Sequence, residues 1–155
     1  GLDIGEDALR RGLRAVRLPA RSEVFPGRPP VLLDGAHNPI SIRALCATLD
    51  RVFAGRKITM VLGFSHDKDI ATMLRDLLPR AAQVVFTRSD SPRAAETEVL
   101  VEAARGISSL VPHIAPDGSA ALARARELAD PDGLICVTGS FFLAGNVRPA
   151  LGADP

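Results

Sequence analysis

The stretch Val31-Leu32-Leu33-Asp34-Gly35-Ala36-His37-Asn38-Pro39 decides the fold predicted for this chain. Its three leading apolar residues predict a buried strand, and the glycine after the acid predicts a turn. Asn38 is a favourable helix N-cap and Pro39 a favourable first helical residue. The turn therefore places Asp34 and His37 at the carboxyl end of a strand, beside the start of a helix. In open α/β sheets, ligands bind at that edge.

The same alternation of apolar strands and amphipathic helices continues along the chain. Core strands are predicted at 31–34, 58–63, 83–87 and 134–138, with shorter strands at 21–25 and 110–114. Helices are predicted at 5–16 and 39–53, from 70 to before Pro79, from Ser91 through Ala104, after Asp117 and after Ser140. Strands bare of polar residues are buried on both faces, which predicts an α/β, Rossmann-like, mostly parallel sheet flanked by helices on both faces. Right-handed crossovers then bring loops 34–38, 65–69 and 138–140 to one crevice.

The composition excludes several classes of function. The 155 residues suit one domain, and a net charge of +1 argues against a polybasic surface for nucleic acid or membranes. The absence of Trp and Tyr argues against a base-stacking platform. Cys46 and Cys136 are expected to be buried free thiols, and no Cys or His cluster has zinc spacing. No apolar run is long enough to cross a membrane and no signal-peptide pattern begins the sequence, so a cytoplasmic protein is expected.

Familiar catalytic motifs are missing from the sequence. The phosphate-loop pattern fails because neither lysine, Lys57 or Lys68, follows a glycine. No G-x-G-x-x-G fingerprint follows a strand, and no G-x-S-x-G elbow is present. A complete nucleotide hydrolase is therefore not expected from this chain alone.

Each polar loop has a structural reading as well as a functional one. Asp34 could cap a turn, and His37 could be a solvated loop histidine. Lys68 between two aspartates could belong to a surface ion cluster, and 138–140 could be a simple strand-to-helix turn. Together the loops indicate an anion-binding edge with a carboxylate. The residues by themselves therefore predict a nucleotide- or acid-binding α/β domain.

Four stretches carry a resemblance to a known family. They are LPARSE at 18–23, LLDGAHNP at 32–39, VLGFSHDKDIATML at 61–74 and VTGSFFLAGNVR at 137–148. In this order they resemble the folylpolyglutamate synthase / dihydrofolate synthase family of the Mur ligase superfamily, from about residue 8 to 148. The resemblance implies a Mur ligase C-terminal domain at 18–150. It makes 1–17 the end of an interdomain linker with a short helix, and places the N-terminal ATPase domain outside this chain.

The resemblance also implies the reaction. In the family, ATP phosphorylates the carboxylate of dihydropteroate or a folate, and the amine of L-glutamate attacks the acyl phosphate. The implied cofactors are ATP and Mg, with magnesium ligands expected in the N-terminal domain and no metal held by this chain. The implied partners are ATP, L-glutamate, a pteroate or folate and the chain's own N-terminal domain, without nucleic acid or membrane. This chain alone is expected to be inactive.

Individual residues take their roles from the matched motifs. Arg21 and Asp34 match residues on the ATP side, and an arginine fork suits phosphate oxygens. His37 and Ser140 match residues on the glutamate side, and are the expected catalytic residues. They also count as substrate-binding residues together with Lys68, which either pairs with a glutamate carboxylate or holds its own loop.

Two departures and two alternatives accompany the resemblance. Leu18 stands at the family's tryptophan and Ala20 at its glycine, which puts the placement of Arg21 in question. Another amino-acid ligase of the Mur superfamily is one alternative. A stand-alone, non-catalytic α/β binding module is the other.

Overall fold

Six strands form one sheet in the order β1-β2-β6-β3-β4-β5. The computed structural model describes residues 4–16 and 18–152. The strands are β1 (Glu23–Phe25), β2 (Val31–Leu33), β3 (Ile58–Leu62), β4 (Ala81–Phe86), β5 (His113–Ile114) and β6 (Leu134–Thr138). Only β1 runs antiparallel to its neighbour. The predicted α/β, mostly parallel sheet is confirmed.

Helices cover both faces of the sheet. These helices are α2 (Pro39–Val52), α3 (Ile70–Leu77), α4 (Thr97–Ala104), α5 (Gly118–Leu128) and α6 (Phe141–Val147), with 3-10 turns at Leu78–Arg80 and Arg148–Leu151. A further helix, α1 (Glu6–Ala15), is exposed. Alternate strand residues belong to two separate buried clusters: Leu32 packs with α2, α3 and α4, whereas Leu33 packs with α5 and α6. Burial on both faces explains why the core strands contain so few polar residues.

Both cysteines are buried and free, as expected from the sequence. Desolvation by burial raises the pKa of the Cys46 thiol and that of the Cys136 thiol. The neutral thiols therefore behave as small apolar groups in the core.

Asn38 and Asp117 cap helices α2 and α5, as the sequence predicts. Asn38 Oδ1 accepts a 2.9 Å hydrogen bond from the Ser41 amide, and Ser41 Oγ accepts a 3.2 Å bond from the Asn38 amide. Asp117 Oδ1 accepts a 2.8 Å bond from the Ala120 amide. These caps begin α2 and α5 at the same edge of the sheet at which the parallel strands end.

Three predicted boundaries were wrong. The helix predicted from Ser91 begins only at Thr97, because 91–96 turns back and pairs with the loop after β3: the Ala95 amide donates to the Phe64 carbonyl at 2.8 Å. The strand predicted at 110–114 contains only His113 and Ile114. The strand predicted from residue 21 begins at Glu23, because positive φ at Ser22 bends the backbone there.

The predicted linker, 1–17, is described only in part. Residues 1–3 and 17 lie outside the described residues. Within the rest, α1 exposes Leu9, Leu13 and the following Val16.

Candidate functional site

Four loops that follow parallel strands meet at one pocket of about 150 Å³. We call it the strand-end pocket; its lining residues are His37, Ser65, Lys68, Arg93, Ser140, Phe141 and Phe142. The register explains the convergence, since Leu33 lies opposite Val137 and Thr138 lies opposite Leu62. Strands β2, β6 and β3 thus end side by side. The structure brings His37, Lys68 and Ser140 together, as the sequence predicted for their loops.

His37 has one ring nitrogen fixed by its own turn. Nδ1 lies 2.8 Å from the Gly35 carbonyl oxygen. Because a carbonyl only accepts, Nδ1 carries a proton and the neutral ring keeps Nε2 as an acceptor. The His37 amide also donates to Ser41 Oγ at 3.1 Å, which ties this residue to the start of α2. The imidazole is therefore oriented as a proton acceptor.

Phe141 contacts both His37 and Arg21. Its ring centroid lies 5.5 Å from that of His37, with an interplanar angle of 54°, and 4.6 Å from Cζ of Arg21. The second contact has the geometry of a cation–π interaction. Gly35 makes room for the ring, because a Cβ there would lie 2.4 Å from the Phe141 edge atoms. No role for Phe141 is predicted from the sequence.

Asp34 is not among the residues that line the strand-end pocket, and it holds the segment before β1. Its Oδ2 accepts from the Ser22 amide at 2.8 Å and from the Ser22 hydroxyl at 3.1 Å, and its Oδ1 accepts from the Ala36 amide at 2.8 Å. The residue is only 8% exposed. These bonds fix the position of Arg21, the neighbour of Ser22.

The two family departures have different consequences for Arg21. Ala20 adopts φ of +53°, a left-handed conformation that favours glycine. The alanine is nevertheless held, because its carbonyl accepts from the Gly35 amide at 2.7 Å and its amide donates to Glu23 Oε2 at 3.0 Å. Leu18 is exposed and lines an open groove of about 430 Å³ that also contains Arg21. Arg21 therefore stands between this groove and the strand-end pocket.

Ser140 is the N-cap of α6 and is 4% exposed. Its Oγ accepts a 3.1 Å bond from the Phe142 amide, so its hydroxyl proton can be donated elsewhere. The preceding Gly139 has φ of +107°, and a Cβ there would lie 2.6 Å from the Gly63 carbonyl oxygen. The glycine lets β6 and the loop after β3 approach closely enough to form the pocket.

Two cationic side chains, Lys68 and Arg93, also line the pocket. Lys68 Nζ lies 3.0 Å from Asp67 Oδ2, and this hydrogen bond, with the charges of Lys68 and Arg93, lowers the pKa of Asp67. Arg93 was missed by the sequence analysis, because its position depends on the pairing of 93–95 with the loop after β3. No local motif marks that pairing.

The described residues include no cluster of metal-ligating side chains. Within 4–16 and 18–152, no three His, Cys, Asp or Glu side chains are grouped closely enough to hold a metal ion. Among the same residues, no helix is long and apolar enough to cross a membrane.

A family model matches most of the chain. Residues 20–141 match the model described as Mur ligase, glutamate ligase domain. The matched range begins just before Arg21 and ends just after Ser140, so it contains every residue predicted for the site.

Relatives and solved structures agree with that match. The chain is 36% identical over 146 residues to a probable bifunctional folylpolyglutamate synthase/dihydropteroate synthase of Haloferax volcanii, covering 94% of this chain and 17% of the relative. It resembles the Mycobacterium tuberculosis folylpolyglutamate synthase complexed with ADP, with a TM-score of 0.89 and 33% identity over 98% of this chain and 36% of that one. A bifunctional folylpolyglutamate synthase/dihydrofolate synthase with Mn, AMPPNP and L-glutamate bound gives a TM-score of 0.85 and 33% identity, with the same coverage. The chain thus spans about one third of the length of these two solved chains.

Proposed function

The chain belongs to the glutamate ligase domain family of the Mur ligases, and we propose that it is the C-terminal domain of an ATP-dependent ligase that adds L-glutamate to dihydropteroate or a folate. In this proposal 18–150 form the C-terminal domain and 1–17 end the interdomain linker. An N-terminal ATPase domain supplies the phosphate loop and the magnesium ligands. The relatives' greater length supports this division.

One observation carries the proposal: His37, Lys68 and Ser140 line one pocket at the strand-end edge. Glutamate brings an amine that must lose protons and carboxylates that need cations and hydroxyl donors. The pocket offers a histidine acceptor, a lysine and a serine hydroxyl that is free to donate. A general nucleotide-binding module would not require a proton acceptor, a cation and a hydroxyl donor in one pocket.

The proposed chemistry is amide formation from an acyl phosphate. His37 Nε2 takes a proton as the amine becomes a nucleophile, and the nitrogen lone pair forms the C–N bond. The bond between the acyl carbon and the bridging phosphate oxygen breaks, and inorganic phosphate leaves with the electron pair of that bond. Ser140 and Lys68 hold carboxylate oxygens of glutamate, which orients the amine toward the acceptor.

Arg21 is proposed to bind phosphate oxygens of ATP. Its guanidinium lies on Phe141 and, among the described residues, forms no ion pair. A planar guanidinium binds phosphate oxygens through paired hydrogen bonds. Asp34 acts on the same side by holding Ser22, so we propose that it positions Arg21.

The N-terminal domain is proposed to pack against α1 and the groove around Arg21. The exposed apolar residues of this region support the proposal, since Leu9, Leu13, Leu18 and Val24 are each at least half exposed. A cytoplasmic location is also proposed, because ATP and folates are consumed together in that reaction.

The test is ligation by the full-length protein that contains this chain. Purified protein with ATP, Mg²⁺ and labelled L-glutamate is given dihydropteroate or tetrahydrofolate, and label in the folate product is measured together with ADP. ATP-dependent transfer is expected for the full-length protein and no transfer for residues 1–155 alone. Transfer of another amino acid to another acid would support a different Mur-type ligase. Absence of any ligation would support a binding module.

A further inference from the structure

We propose that Phe141 is a positioning residue: its ring holds the imidazole of His37 in the orientation in which Nε2 accepts the proton of the incoming amine. The inference rests on the function proposed above, in which His37 is the proton acceptor. It follows from where the ring lies, from the two side chains that it contacts and from its small share in the core.

The ring of Phe141 is not part of the hydrophobic core. The side chains that α6 buries are Leu143, Ala144 and Val147, whereas Phe141 is 40% exposed at the first position of the helix. An apolar side chain that stays partly in water stabilises the fold less than a buried one. The contacts that Phe141 makes at the site therefore matter more than its burial.

The Phe141 ring packs on the turn after β2. A Cβ at Gly35 would lie 2.4 Å from both Cδ1 and Cε1 of the ring, so the ring lies directly against the glycine backbone. The Gly35 carbonyl oxygen lies 2.8 Å from His37 Nδ1, and the Gly35 amide donates to the Ala20 carbonyl at 2.7 Å. One glycine thus supports both the Phe141 ring and the imidazole.

The imidazole of His37 is held by two different contacts. The bond at Nδ1 fixes one atom of the imidazole but leaves its tilt free. The Phe141 centroid lies 5.5 Å from the imidazole centroid at an interplanar angle of 54°, which is within the range of aromatic pairs. The second contact restricts the tilt and so the direction of Nε2. Because proton transfer needs Nε2 within hydrogen-bond reach of the amine, a freely tilting imidazole would react more slowly.

Arg21 contacts the same ring. Its Cζ lies 4.6 Å from the Phe141 centroid, and the next residue, Ser22, is tied to Asp34 by the 2.8 Å bond described above. The group proposed to bind ATP phosphates and the proposed proton acceptor therefore both contact one aromatic side chain. A change at Phe141 should be felt at both groups.

The experiment uses the full-length ligase with saturating ATP. Phe141→Leu removes the flat ring and keeps an apolar side chain, whereas Phe141→Tyr keeps the ring. For each variant kcat and the KM for L-glutamate are measured, once with His37 present and once in a His37→Gln background. Tm is recorded for every variant.

Phe53→Leu is the matched control. Phe53 follows α2, packs against the core cluster that contains Leu32, and lines neither the strand-end pocket nor the groove around Arg21. The same substitution there removes a ring without changing the surroundings of His37. Its kcat should stay near that of wild type, whatever its effect on Tm.

We expect Phe141→Leu to lower kcat at least about fivefold with the KM for glutamate within about threefold, because Lys68 and Ser140 still hold the carboxylates. Phe141→Tyr should recover most of the lost kcat. In the His37→Gln background, Phe141→Leu should change kcat by less than about twofold, because the ring then has no imidazole to hold.

An unchanged kcat in Phe141→Leu, or the same loss with and without His37, would overturn the role of Phe141 while leaving the ligase function intact. A Phe141→Leu protein that fails to fold would also overturn it, since the ring would then be needed for the fold itself. A wild-type protein that ligates no glutamate would instead overturn the proposed function, and this inference with it.

Discussion

The amide of Ser22 donates a 2.8 Å hydrogen bond to Oδ2 of Asp34, linking the segment that carries Arg21 to the turn that carries His37. The Ser22 hydroxyl reaches the same oxygen at 3.1 Å. One buried carboxylate therefore aligns the two segments that the proposed reaction uses.

Replacing Asp34 with Ala should impair both folding and ligation. Loss of its three hydrogen bonds leaves the Ala36 amide and Ser22 without their acceptor, which we expect to cost about 1–3 kcal/mol of unfolding free energy. Because Arg21 is released, kcat/KM of the full-length enzyme should fall at least about tenfold, or about 1.4 kcal/mol. Urea denaturation and steady-state kinetics measure the two effects.

Asp117→Ala is the matched control for Asp34. It removes a helix cap at the same sheet edge, outside the strand-end pocket and the groove around Arg21, and should cost about 1 kcal/mol of stability. Its kcat/KM should stay near that of wild type. Normal kinetics for Asp34→Ala would show that the carboxylate is not needed to place Arg21.

Phe141→Ala should weaken ATP binding, because it removes the ring that supports the Arg21 guanidinium. The ring supports the guanidinium at 4.6 Å, and a cation–π contact at a partly exposed site contributes about 0.5–1 kcal/mol. We expect a higher KM for ATP. A double-mutant cycle with Arg21→Ala measures the coupling, and strictly additive effects of the two substitutions would refute it.

His37→Ala should lower kcat/KM of the full-length enzyme at least about tenfold, because the proton acceptor on the amine side is lost. The His113→Ala variant is the control, since His113 lies on β5, away from the pocket. Unchanged kcat/KM in His37→Ala would assign the proton acceptor to another group.

The bidentate pair of Arg80 and Asp50 predicts a pH-dependent contribution to stability. Arg80 Nε and Nη2 donate to Asp50 at 2.8 and 2.7 Å, and this hydrogen bonding lowers the pKa of Asp50 below its ordinary 3.8. A depressed carboxyl pKa stabilises the fold above the unfolded-state value, and that stability is lost as pH falls through the folded-state value. Unfolding free energies of wild type and Asp50→Asn should therefore differ at pH 7 and converge once the pH falls below the lowered pKa of Asp50. A difference that persists in acid would contradict the assignment.

The sequence predicted the sheet and the convergence of its loops for a clear reason. Apolar strands, caps such as Asn38 and right-handed crossovers are local or general features, so they place His37, Lys68 and Ser140 at one edge without knowledge of packing. The roles of these residues stay predictions. The pocket shows that these side chains lie close together, and their roles in the reaction belong to the proposal.

The features that the sequence did not predict depend on long-range contacts. Arg93 reaches the pocket because 93–95 pairs with the loop after β3, and that pairing also replaces the start of the predicted helix. Phe141 lies across Gly35 because the glycine leaves space there. The partner of Asp34 comes from the segment before the antiparallel edge strand, which no periodic pattern specifies.

The most direct test of the central claim is a crystal structure of the full-length protein with Mg²⁺, a non-hydrolysable ATP analogue and L-glutamate. The account predicts glutamate in the strand-end pocket, with its amine toward His37 and its carboxylate oxygens on Ser140 and Lys68. Glutamate bound away from His37, Lys68 and Ser140, with this pocket empty, would contradict it.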